Sequence, residues 1–151
     1  MQFIQQTFIA VSLLLLASLA FAQDPAINTV AVQGYDVVSY HQGDGEPAKG
    51  NGGNVAWYNG EAFLFSNADN KATFEADPES FVPAYGGYCA FGVTGGRKFV
   101  GDPLAYRVVG GTLYLNLSKQ VQERWIQNIP GNIERADARW PDIKDVHPSE
   151  L

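Results

Sequence analysis

From Phe8 to Ala20 the chain is almost unbroken hydrocarbon, with Leu13, Leu14, Leu15 and Leu16 at its centre and no charged side chain anywhere in residues 1–22. After residue 30 the pattern changes to short apolar runs punctuated by Gly, Pro and Asn. Val30-Ala31-Val32 followed by Gln33-Gly34 predicts a brief strand ending in a turn, and Asp36 to Tyr40 a single helical turn or bend. The stretch from His41 to Asn54, rich in Gly, Asp, Pro and Asn, has no apolar periodicity and reads as a surface loop. Two hairpins follow. Val55 to Tyr58 and Glu61 to Phe65 flank Asn59-Gly60, a pair suited to the positive φ angles of a type I′ turn. Tyr106 to Val109 and Thr112 to Leu117 flank Gly110-Gly111 in the same way, with Leu113, Leu115 and Leu117 on one face of the last strand.

Each hairpin is followed by a predicted helix. The first opens at Ser66, with Asp69 completing a variant capping box, and ends near Asp77-Pro78. The second is capped by Ser118 and carries Leu117, Val121, Trp125 and Ile129 at intervals of four until Pro130-Gly131 breaks it. A third short helix presents Ile133, Ala136 and Trp140 on one face before Pro141 stops it. The hairpin–helix pair thus occurs twice, about 51 residues apart by turn position. Residue identity between the two is poor, which points to a common local architecture rather than duplication. The class is α+β: a small antiparallel sheet built from two β-hairpins, each followed by a helix, plus a short C-terminal helix.

The apolar start reads as a secretory signal peptide over residues 1–22. Its run is shorter than the ~20 apolar residues that span a bilayer, and Ala20-Phe21-Ala22 supplies a small-x-small cleavage site. The expected organisation is then a tether over 23–29, one domain over 30–141 and a loose polar tail over 142–151. After cleavage no stable membrane anchor is expected, and the location is exported, periplasmic or extracellular. The net charge of −6 repels nucleic acid, so nucleic acid is excluded as a partner. Only one cysteine is present, so no intramolecular disulfide can form and Cys89 must be buried, metal-bound or used for its reactivity.

The most unusual stretch is Pro83-Ala84-Tyr85-Gly86-Gly87-Tyr88-Cys89-Ala90-Phe91-Gly92, three aromatics around one thiol between glycines. Together with Gly34-Tyr35-Asp36-Val37-Val38-Ser39-Tyr40-His41, the Tyr58-Asn59-Gly60 turn, Gly101-Asp102-Pro103, Ile129-Pro130-Gly131 and Ala136-Asp137-Ala138-Arg139-Trp140-Pro141, it resembles exported, stand-alone YHS-domain proteins over nearly all of residues 30–141. That resemblance implies handling of soft metal ions, although the wider group usually carries several cysteines and this chain one.

On its own chemistry the Cys89 thiolate is a soft donor suited to Cu(I) or Ag(I). His41 is the imidazole best placed in sequence to share the ion, with water, Asp36 or a tyrosine oxygen completing the site; His147 lies in the tail. The second reading is a small-molecule or protein-binding module in which Tyr35, Tyr85, Tyr88 and Phe91 shape a pocket and Cys89 is structural. The chain holds no His-Glu-x-x-His, Gly-x-Ser-x-Gly, phosphate-cradling glycine loop or Cys-x-x-Cys. Catalysis is not expected, with a Cys89–His41 nucleophile pair the one arrangement left open.

Overall fold

The computed structural model describes residues 30–43 and 46–151; the leader and the tether lie outside the described residues. The fold is α+β. Strands β1 (Asn51–Tyr58) and β2 (Glu61–Phe65) form one antiparallel two-stranded sheet, β3 (Asp102–Val109) and β4 (Thr112–Asn116) another. The two hairpins therefore do not merge into one sheet. Helices α1 (Ala68–Ala76), α2 (Ala90–Thr94), α3 (Lys119–Trp125) and α4 (Ile129–Ile143) pack around them. Both hairpin turns are of type I′, with positive φ at Asn59 and Gly60 and at Gly110 and Gly111.

The repetition goes far beyond hairpin and helix. Each half begins with a tight turn, Ala31–Gly34 or Ala84–Gly87, whose two middle residues have positive φ. An extended tyrosine follows, and it bridges the lead-in to the first hairpin strand: Tyr35 pairs with Lys49, Tyr88 with Val100. Asp36 N–H then donates to Ala48 O at 2.9 Å, as Cys89 N–H does to Phe99 O at 2.8 Å. Gly50 N–H donates to Gly34 O, and Gly101 N–H to Gly87 O. A Cβ at Gly50 would meet Leu64 at 2.4 Å, and one at Gly101 would meet Leu115 at 2.6 Å, so both crossings need a bare backbone. Strand register shifts at the same place in both hairpins, between Asn51 and Val55 and between Asp102 and Tyr106. The helix after each hairpin is capped from the side chain, by Asn67 accepting from Asn70 N–H and by Ser118 accepting from Val121 N–H. The two halves share these backbone features in the same order, although few residue types coincide and the first half has a 3-10 turn, Ser39–His41, where the second has α2.

Each half has its own core. Phe63 and Phe65 pack on Phe74 of α1, with Phe63 stacked at 4.8 Å between ring centroids. At the equivalent positions Tyr114 packs on Trp125 of α3 at 5.4 Å. A third cluster, Tyr40 with Leu113 and Leu115, seals the halves together, helped by hydrogen bonds from Tyr40 Oη to Pro103 O and from Gln33 Nε2 to Gly101 O, both 3.0 Å.

Several sequence expectations are corrected. Only Val30 of the expected first strand pairs, with Ala62, and the chain then turns. Asn67, not Ser66, caps α1, because the Ser66 hydroxyl is committed to Asp36 at 2.7 Å. Leu117 is exposed, because β4 ends at Asn116 and residue 118 already serves as the next cap. Pro141 does not stop α4; it sits in the last turn, and the helix continues to bury Ile143. The tail is docked as well. Lys98 Nζ donates to the carbonyls of Lys144 and Val146, both at 2.7 Å, and lies over the rings of Tyr88 and Trp140. Leu151 packs on the second core.

Candidate functional site

Cys89 follows the second left-handed turn and is the N-cap of α2. Its Sγ accepts from Gly92 N–H at 3.4 Å, and the thiol faces Asn116 Oδ1 at 3.9 Å. Cys89 is 1% exposed and Asn116 fully buried, and Asn116 Nδ2 has no hydrogen-bond partner. Asp36 occupies the equivalent place in the first half. Its Oδ1 accepts from the N–H groups of Val38 and Ser39, and its Oδ2 from Ser66 N–H, the Ser66 hydroxyl and Asn70 Nδ2. Both carboxylate oxygens are thus occupied by donors within the fold. His41 stands edge-on to Phe81 at 5.2 Å, with Nε2 buried and unpartnered and its pKa lowered by burial.

Among the described residues no group of three or more His, Cys, Asp and Glu side chains converges. Cys89 and Asp36 are separate caps of separate halves, and His41 belongs to the aromatic packing of the first. A soft ion on Cys89 would need a second sulfur or imidazole at bonding distance; an amide oxygen facing the thiol is a hard donor, so these residues do not fit that ion. The nucleophile pair of Cys89 and His41 likewise has no hydrogen bond between its members.

Of the four aromatics expected to shape a pocket, Tyr85, Tyr88 and Phe91 pack in the second core, where Tyr85 and Tyr88 both meet Trp140. Tyr35 lies under Lys49 Nζ at 5.6 Å. Tyr85 is buried, its hydroxyl donating to Asp137 Oδ1 at 2.8 Å and its pKa raised by burial and then by that carboxylate. Phe91 packs against the second core. Tyr88 also lines a cavity.

That cavity, of about 270 Å³, opens between the two left-handed turns and reaches Tyr88, Val100 and Leu115. A second, of about 310 Å³, reaches Tyr58, Phe63 and Val82. They share Ala31, Val32, Glu61, Gly86 and Gly87, and so form one cleft with Glu61 at its waist. Val32, Gln33 and Asn59, three of the four non-glycine residues with positive φ among the described residues, line it. A β-branched valine in this conformation costs about 1–2 kcal/mol, strain that the surrounding packing must hold. The Glu61 carboxylate has no hydrogen-bond or ion-pair partner among the described residues, and burial raises its pKa. Sequence reading passed over it as the first residue of a strand; its importance depends on two turns far apart in the chain meeting beside it.

No family model, curated protein or solved structure matches the chain. No helix among the described residues is long and apolar enough to cross a membrane.

Proposed function

We propose that this protein is a non-catalytic binding module that takes a small molecule in the cleft between its two halves, with Cys89 serving the fold as a helix cap. The observation that carries this reading is the meeting of two cavities at Val32, Glu61 and Gly86, where strained backbone lines a trough of mixed apolar and polar character. Its combined size suits a compact organic ligand rather than a macromolecule. The burial of Cys89 supports the structural role: a thiol 1% exposed is shielded from oxidants in a compartment that would attack an open one. That compartment belongs to the same proposal. The apolar run before Ala20-Phe21-Ala22 and the resemblance to exported YHS-domain proteins support export, and neither depends on the cleft.

The experiment is a ¹H–¹⁵N NMR titration of the purified protein with small apolar fragments, beside a parallel titration with Ag(I). Fragment-induced shifts concentrated at the amides of Val32, Gly86 and Gly87, with no stoichiometric Ag(I) uptake, are expected. One-to-one Ag(I) binding lost in Cys89→Ser, with the cleft amides unmoved by every fragment, would overturn the reading in favour of a soft-metal module.

A further inference from the structure

We infer that the cleft selects organic monocations, an ammonium group held by the Glu61 carboxylate with its apolar body lying along the trough; this rests on the cleft being a binding site. Three observations carry it. Glu61 is the one carboxylate lining both cavities, and no lysine or arginine lines either. It has no hydrogen-bond or ion-pair partner among the described residues, whereas the other carboxylate used in this half, Asp36, accepts from five donors. A half-buried anion left without a partner costs free energy that a bound cation recovers. The third observation comes from the repeat. The position equivalent to Glu61, the first residue after the type I′ turn, is Thr112 in the second half, so the architecture does not require a carboxylate there.

The raised carboxyl pKa agrees with this placement, since it reports a charge held where water solvates it poorly and nothing compensates. Glycines at 86 and 87 put no side chain into the part of the lining that both cavities share with Glu61, so a three-donor ammonium head can approach the carboxylate while its hydrocarbon reaches toward Leu115 or Phe63. A carboxylate ligand would meet like charge at the waist, and a neutral ligand would gain only the apolar contacts.

The test uses three probes of one shape and different charge: 2-phenylethylammonium, 2-phenylethanol and phenylacetate. Each is titrated into wild type, Glu61→Gln and Thr112→Ala and followed at the Gly86 and Gly87 amides. The ammonium should bind tightest and phenylacetate weakest. Glu61→Gln should weaken the ammonium by about tenfold, the equivalent of ~1.4 kcal/mol, leave the alcohol unchanged and remove the salt dependence. Thr112→Ala should leave all three unchanged. Equal affinity for the ammonium and the alcohol, indifferent to Glu61→Gln, overturns the inference and leaves the binding site standing. Failure of all three probes to move the cleft amides in folded protein overturns both. An intact, well-dispersed spectrum of Glu61→Gln excludes unfolding as the cause of lost binding.

Discussion

Asp36 and Cys89 hold the same place in two equivalent halves, and each accepts from the N–H three residues on, Ser39 in one and Gly92 in the other. Their surroundings differ in a way that electrostatics demands. A buried carboxylate must be matched by donors, and the first half supplies Ser66 and Asn70 for it. The second half has Leu117 and Val121 at those positions, and among the described residues the one side chain hydrogen-bonded to the thiol is that of Asn116, standing where the first half has Phe65. One backbone frame thus tolerates either a charged cap with a polar shell or a weakly polar cap in a mostly apolar one. The comparison also removes the main reason for treating Cys89 as a reactive centre, since its location is set by the frame that sets Asp36.

The comparison breaks most sharply at Asp36. Asp36→Ala strands Ser66, Asn70 and two backbone N–H groups in a buried place, and should cost about 3 kcal/mol or more, read as a lowered urea midpoint. Cys89→Ala removes one weak cap and one small buried atom and should cost about 1 kcal/mol in the same assay. Equal losses at the two positions would show that the caps are not energetically distinct and would undo the contrast. The smallest effect is at His41, whose place in the second half is taken by Thr94. Burial depresses the His41 pKa in the folded protein, so its neutral form stabilises the fold above the unfolded-state value, and that stability is lost as pH falls through the folded one. His41→Phe should flatten the decline of the urea midpoint between about pH 7 and pH 5; an unchanged slope would mean that other groups produce it.

Local chemistry was legible in the sequence where a single residue type dictates geometry. Asn59-Gly60 and Gly110-Gly111 announce their turns, and Ser118 its helix, because few other residues adopt those conformations or accept those bonds. Reading failed where a distant partner decides. Pro141 looks like a stop, but Ile143 has a core to enter, and Lys98 satisfies carbonyls past the end of the helix. Asp36 reads as a metal donor until Ser66 and Asn70 are seen to occupy it. The repeat itself was masked because what recurs is backbone conformation, with Val32 and Gln33 answering to Tyr85 and Gly86. Tyr85, Tyr88 and Phe91 cluster in sequence and all pack with the second core, but of the three only Tyr88 reaches the cleft.

The bare-backbone crossings at Gly50 and Gly101 have a use outside this molecule. Each lies beyond a Gly-Tyr pair, Gly34-Tyr35 or Gly87-Tyr88, across a gap of 14 or 12 residues, and is followed at once by Asn51 or Asp102, whose side chain accepts from the N–H two residues on. Gly-Tyr, a gap of 12 to 14 residues, then Gly with Asn or Asp is therefore a compact query for genomes, one that looks for half of this architecture rather than all of it. A chain answering it only once would leave uncovered the surface that Tyr40, Leu113 and Leu115 close here, and should be found as a homodimer.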